Sequence, residues 1–193
     1  MRGGIFLRAL NKHMPTLTEK AIQIALVAHA TQVRKIDHSP YVVHPIMVGM
    51  KLARYGFSDE VVAAALVHDV LEDTTFGRDA LVAELGEKVA KLVDAVSEDK
   101  TLSWENRKRL YIETVRAANN DVKAISVSDK IHNGASLIVG YERVGGDMWK
   151  NFTRPREQQL WFFREMLVML QSSWQHPLVD EFAETVSRLE RLV

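Results

Sequence analysis

The chain of 193 residues contains no cysteine. Disulfide frameworks, thiolate zinc sites and cysteine nucleophiles are excluded together, so any metal must be held by histidine and carboxylate. Net charge is lacking too, because 25 Lys plus Arg balance 25 Asp plus Glu. Proteins that coat nucleic acid or anionic membranes carry a basic excess, so neither partner is expected, although the balance leaves room for a local basic pocket. Long apolar stretches are also missing. The longest run, Val61 to Val67, spans seven residues, far short of the ~18 that a membrane span needs. Met1 to Arg8 lacks the apolar segment of a secretory signal, and a cytoplasmic protein is the expectation.

What the chain does contain is the mixture of a packed domain. Hydrophobic residues at 47% and charged residues at 26% exclude the composition of a disordered segment. A chain this long buries roughly 70% of the surface its unfolded form exposes, enough for one core without staples. With no internal repeat, linker-like shift or low-complexity tract, a single domain over residues 1–193 is expected.

Helix signals follow one another. Thr16-Leu17-Thr18-Glu19 is a capping box, after which Ile22, Ala25, Leu26 and His29 or Ala30 recur at helical spacing to about Gln32. Pro40 and Pro45 make Val33 to His44 a loop, with Pro45 in the first turn of a helix that stops at Gly56. Ser58 can cap the next helix, which is predicted to run unbroken through Val61, Ala65, Leu66 and His68 to about Glu72. Thr74 and Thr75 are expected to cap the segment after it. Further helices are read over Arg78–Leu85, through Val89 to Val96, from Ser103 or Trp104 to Ala118, and from Asp121 towards Tyr141. Val122 to Val127 alternates like a strand but has no partner strand. Pro155 to Gln171 and Pro177 to Leu192 complete the set as C-terminal helices within 155–192. The fold class is all-α, a single-domain helical bundle.

Chemistry concentrates in Ala65-Leu66-Val67-His68-Asp69-Val70-Leu71-Glu72-Asp73-Thr74. On an unbroken helix His68 lies one turn below Glu72, and Asp69 one turn below Asp73. Their neighbours belong in a core, where a carboxylate is expensive unless a charge compensates it, and a divalent ion would do so. The simpler alternative is a solvated acidic helix end, although acidic residues oppose the dipole there. His44 directly before Pro45, and Asp129 within Ile125-Ser126-Val127-Ser128-Asp129-Lys130-Ile131-His132-Asn133, raise the odds for a metal. Together His44, His68, Asp69 and Asp129 come from three helices, the way helical folds build inward-facing metal sites. Two imidazoles and two carboxylates suit Mn²⁺, Fe²⁺ or Zn²⁺ better than Ca²⁺.

In this order His44, the His68-Asp69 doublet and Asp129 resemble the HD phosphohydrolase superfamily. Ala28-His29-Ala30-Thr31-Gln32-Val33-Arg34-Lys35, Pro40-Tyr41-Val42-Val43-His44-Pro45, Leu66 to Thr74 and Asp129-Lys130-Ile131-His132-Asn133 narrow the resemblance to the hydrolase domain of RelA/SpoT proteins. It reaches from about Leu17 to Leu170. With no synthetase or regulatory region expected, the chain is similar to stand-alone small alarmone hydrolases such as the metazoan SpoT homologs. The resemblance implies an HD-type bundle with Mn²⁺ on His44, His68, Asp69 and Asp129. It implies hydrolysis of guanosine tetra- or pentaphosphate to GDP or GTP plus pyrophosphate.

It also makes Glu72 and Asp73 the catalytic pair, with Glu72 favoured for proton transfer and Asp73 for positioning. Arg34 and Lys35 are implied near base and phosphates, Asn133 at the sugar, and Lys100 and Lys130 could add phosphate-pocket charge or sit on the surface. His29 reads as a hydrogen-bonded core residue, His132 as a support, and His13, His38 and His176 as surface residues. Trp161-Phe162-Phe163 with Met166 and Leu167 reads as packing rather than a base platform. Ile36 departs from the small polar residue common in the family, within a loop one or two residues longer. That departure bears on base specificity, and adenosine alarmones or NADPH remain alternative substrates. A broader HD phosphatase and a non-catalytic nucleotide-binding module are the other readings. A monomer or homodimer fits, with Leu160 to Leu170 available for an interface.

Overall fold

The computed structural model describes residues 15–192, so His13 and the apolar-poor start of the chain lie outside the described residues. The described residues form α1 (Leu17–Ala28), α2 (Val43–Arg54), α3 (Asp59–Leu66), the short α4 (Val70–Asp73), α5 (Arg78–Leu85), α6 (Glu87–Val96), α7 (Trp104–Ala117), α8 (Asn120–Val144), a 3₁₀ helix (Gly145–Asn151), α9 (Arg156–Ser173) and α10 (Pro177–Glu190). No strand occurs among them; the sole strand-like pairing is an isolated bridge between Val33 and Pro40. The all-α expectation holds, and the strand-like alternation at Val122–Val127 is helical.

The capping box at Thr16 forms in full. Its amide donates to Glu19 Oε2 at 2.6 Å and its Oγ1 accepts from the Glu19 amide at 3.1 Å, an arrangement that contributes about 1 kcal/mol to a helix start. Gly56 and Gly86 take positive φ at the ends of α2 and α5, where a side chain would be strained. Ser58 precedes α3 in extended backbone but makes no side-chain cap bond. Thr74 does not cap α5, whose cap position is Gly77. Instead its hydroxyl donates to Val70 O at 2.7 Å and accepts from the Phe76 amide at 3.1 Å, closing the turn after α4.

The predicted helix through His68 is broken. α3 ends at Leu66 and α4 begins at Val70, with a turn between them. His68 Nδ1 lies 2.8 Å from Ala65 O, the carbonyl that the Asp69 amide would use in a continuous helix. The side chain takes the backbone's acceptor, and the chain tightens through Val67 N to Ala64 O and Val70 N to Val67 O.

α8 runs through the middle, packed by α2, α6, α7, α10 and the 3₁₀ helix, while α1 lies on α3 and α5, and α9 on α7 and α10. α3 is buried on all sides from Val61 to Leu66, as its uniform apolarity requires. A Cβ at Gly134 would fall 2.5 Å from Thr185 Cγ2, so this glycine lets α8 approach α10 closely. In α9, Leu160, Phe162, Phe163, Met166, Met169 and Leu170 are buried within the chain. These six side chains are therefore spent on internal packing, while Val168 of the same segment is 62% exposed. No helix among the described residues is long and apolar enough to cross a membrane.

Candidate active site

Three buried side chains, His44, His68 and Asp129, bring donor atoms within 4.8 Å of one another. His44 stands in the first turn of α2, set there by Pro45, and its Nε2 lies 3.0 Å from Asp129 Oδ1 and 3.6 Å from Asp69 Oδ2. His68 Nε2 lies 3.1 Å from Asp69 Oδ2 and 3.8 Å from Asp129 Oδ1. The turn between α3 and α4 is what aims it. With Nδ1 committed to the Ala65 carbonyl, Nε2 points inward, buried and without a hydrogen-bond partner.

The electrostatics ask for a cation in this space. Burial opposes a proton on His68, yet the Asp69 and Asp129 carboxylates hold its pKa well above the ordinary value. Both carboxyls stay below their usual range despite burial, Asp69 through His68 and His44, Asp129 through Lys130 and His44. A site that draws a proton between two carboxylates draws a divalent ion into the same place. The orphaned His68 nitrogen and the mixed imidazole–carboxylate donor set fit such an ion.

A ring of partners fixes these donors. Tyr41, whose hydroxyl is kept protonated by burial and by Asp69, donates to Asp69 Oδ2 at 2.6 Å. His132 Nδ1 lies 2.8 Å from His44 Nδ1. Burial and the neighbouring His44 lower the His132 pKa to about 4, so His132 is neutral and can accept a hydrogen bond from His44 Nδ1–H, the tautomer that turns the Nε2 lone pair inward. Lys130 Nζ and Asn133 Nδ2 each reach Asp129 at 2.5 Å. His29 is a core residue as expected, with Nδ1 2.6 Å from Gln32 Oε1, and Gln32 Nε2 donates to Asp73 O at 2.7 Å.

Joined to the cluster through Tyr41, Lys130 and Asn133 is a cavity of about 440 Å³, which none of the four proposed ligands itself lines and which has the size of a small-molecule site. All five residues read as substrate contacts, Arg34, Lys35, Lys100, Lys130 and Asn133, line it, as do Glu72 and Asp73. Lys130 is not a surface lysine: it is 11% exposed and lies over the Tyr111 ring at 4.7 Å. Lys100 is about half exposed and ion-pairs with Asp73, while donating to Glu72 O at 2.9 Å. Burial raises the Glu72 pKa, and the Glu98 amide opposes it by donating to Oε2 at 3.0 Å. Arg34 Nη2 donates to Asn133 Oδ1 at 3.2 Å and Ser136 Oγ at 3.0 Å.

The sequence reading missed Arg107 and Lys108, which also line the cavity, and gave Tyr41 no role. Within Trp104-Glu105-Asn106-Arg107-Lys108-Arg109 the charges look like a solvated helix face; only the tertiary fold turns two of them inward. Phe162 and Phe163 pack in the core as expected and also form cavity wall. His38 is exposed at positive φ in the loop. His176 is more than a surface residue: its Nδ1 accepts from the Leu178 amide at 3.2 Å, capping α10, and its ring stacks on Trp174.

A family model described as HD domain matches residues 21–154. The chain belongs to the HD-domain family. Among related proteins, the guanosine-3′,5′-bis(diphosphate) 3′-pyrophosphohydrolase of Aquifex aeolicus is 35% identical over 141 residues, 69% of this chain and 20% of that protein. The human 3′-pyrophosphohydrolase MESH1 is 38% identical over 117 residues, 59% of this chain and 65% of that one. This HD domain thus spans about a fifth of the bacterial relative and less than two thirds of the human one. Of solved structures, a metazoan ortholog of SpoT described as hydrolysing ppGpp superposes with TM-score 0.77 at 28% identity, over 93% of this chain and 99% of that one. The protein lmo0812 of Listeria monocytogenes gives TM-score 0.70 at 36% identity, over 75% and 96%.

Proposed function

We propose that this HD-domain protein is a metal-dependent nucleotide 3′-pyrophosphohydrolase that cleaves guanosine or adenosine alarmones to the 5′-di- or triphosphate plus pyrophosphate. One observation carries the reading: a buried His44–His68–Asp129 cluster is joined through Tyr41, Lys130 and Asn133 to a cavity lined by six Lys and Arg side chains and by Glu72. A polyphosphate needs cations along its length, and its hydrolysis needs a carboxylate beside the attacking water. Two related proteins, from Aquifex aeolicus and human, carry this activity in their names.

His44, His68, Asp69 and Asp129 would hold the ion, and Mn²⁺ is the proposed occupant, with Fe²⁺ or Zn²⁺ compatible with the donors. Bound there, a divalent ion lowers the pKa of coordinated water and offsets phosphate charge. The protein's residues do the rest. Glu72, with Oε2 held by the Glu98 amide, would use Oε1, which lies 3.7 Å from Lys100 Nζ, for the proton of the attacking water. Its burial-raised pKa makes it a stronger base than an exposed carboxylate. Asp73, paired to Lys100, positions that lysine over the cavity. Arg34, Lys35, Lys100 and Lys130 neutralise phosphate oxygens, and Asn133 holds the sugar.

Product analysis tests this. Purified protein is loaded with Mn²⁺ and given ppGpp, pppGpp, pGpp, ppApp and NADPH separately. Pyrophosphate with GDP from ppGpp, GTP from pppGpp, GMP from pGpp or the adenosine equivalent is the expected result. Orthophosphate from NADPH alone would move the function to a cofactor phosphatase, and tight binding without turnover to a nucleotide-binding module.

A further inference from the structure

We propose that Glu98 is a positioning residue that holds the α7 side of the phosphate-binding wall in register with the general base; this rests on the reading of the cavity as a polyphosphate site. Glu98 follows α6 and its side chain is 7% exposed. A carboxylate so buried is costly unless cations compensate it. Two do. Lys108 Nζ donates to Oε1 at 2.5 Å, and Arg107 Nε sits 2.7 Å from Oε2, held by charge without hydrogen-bond alignment. The same residue's amide donates to Glu72 Oε2 at 3.0 Å.

The cations need such an anchor. Arg107 closes the first turn of α7, where the helix dipole disfavours positive charge. Burial, and Lys130 nearby, also work against the charged form of Lys108, which rests over the Phe162 ring at 4.4 Å. Without Glu98 both side chains gain by swinging to solvent. With it, their stems stay in the cavity wall, and the backbone of the same residue fixes the carboxylate across from them. Glu98 touches no reacting atom in this arrangement; it sets the distance between the cations and Glu72.

The test uses the full chain loaded with Mn²⁺, with inorganic pyrophosphate as a probe in titration calorimetry and ppGpp in steady-state kinetics. Glu98→Gln is expected to weaken pyrophosphate binding and raise KM by about tenfold, with kcat within about threefold and metal content unchanged. Glu98→Asp keeps the charge but cannot span both cations, so a smaller loss of about threefold in the same direction is expected, and it carries the test should the Gln variant not fold. In an Arg107→Gln/Lys108→Gln background, Glu98→Gln should add almost nothing. Unchanged or tighter pyrophosphate binding would overturn the proposal, as would a kcat loss at constant KM or full additivity. The calorimetry needs no turnover. If wild type hydrolyses no alarmone yet Glu98→Gln loses pyrophosphate affinity, the function falls and the role of Glu98 stands. If turnover is intact and Glu98→Gln binds normally, the reverse holds, and wild type that binds no pyrophosphate overturns the proposal outright.

Discussion

The buried ligand cluster, a floor joined to the cavity through Tyr41, Lys130 and Asn133, and the cationic wall of the cavity are built on opposite principles. On the floor, His44, His68 and Asp129 are each less than 10% exposed, and every donor has a dedicated partner that fixes its direction. On the wall, cations reach in from the Arg34–Lys35 loop, from Lys100, from α7 and from α8, and their exposure is uneven, 11% at Lys130 against 48% at Lys100. A metal demands fixed geometry and a few short bonds, whereas a flexible polyphosphate is satisfied by distributed charge. Loss of a floor residue should therefore be all-or-none and loss of a wall residue graded.

The largest effect is expected on the floor. His68→Ala or Asp129→Ala should remove bound metal and lower turnover by about 10³-fold or more, checked by elemental analysis beside the activity assay, with circular dichroism to confirm the fold. A variant that kept stoichiometric metal would break the floor-and-wall contrast at its root. Next comes the carboxylate at the boundary. Glu72→Gln should keep the metal and cut kcat by about 10²–10³-fold. Its pKa is raised by burial, and a base works only when deprotonated. In wild type the rate should therefore fall with decreasing pH through a midpoint above the ordinary Glu value, and this limb should vanish in Glu72→Gln. A nearly active Glu72→Gln would hand the proton to another group.

Between floor and wall stands Tyr41. Tyr41→Phe deletes the 2.6 Å bond to Asp69 without removing the tilted ring contact with His29. Metal affinity should weaken about tenfold, read by competition with a chelator, while KM at saturating metal stays close to wild type. A change in KM alone would assign Tyr41 to the wall instead.

The floor was legible in the sequence because its residues sit in short strings with fixed helical context: His44 before Pro45, His68-Asp69 inside an apolar run, Asp129 within Ile125–Ile131. The helices were legible for the same reason, since period, proline and glycine are local signals. The break at Val67–Asp69 was hidden because it comes from a side chain taking a backbone acceptor, which periodicity does not report. The inward turn of Arg107 and Lys108 was hidden more deeply. Their partner, Glu98, belongs to the preceding loop, and a basic helix start reads as solvated until that partner is placed.

The smallest effect concerns a residue that the sequence set apart without explaining. Ile36 lines the cavity, and a Cβ on Gly140 would come within 2.5 Å of its Cγ2. The loop is tied at its base by the Val33–Pro40 bridge and by Arg34 N to Ser39 O at 2.9 Å. Near its tip, Ile36 seats in a notch of α8 that exists because position 140 has no side chain. Lys35 is its neighbour in sequence, so the notch sets how far that cation reaches over the cavity. Gly140→Ala should push Ile36 out, cost about 1–3 kcal/mol of stability through overpacking, and raise KM about two- to threefold at unchanged kcat and metal content. Trimming the knob in the same chain, Gly140→Ala with Ile36→Ala, should recover most of the stability, because the clash is gone. Recovery of stability without recovery of KM would show that Ile36 itself shapes the substrate wall; recovery of both would show that it acts only by letting the loop sit down on α8.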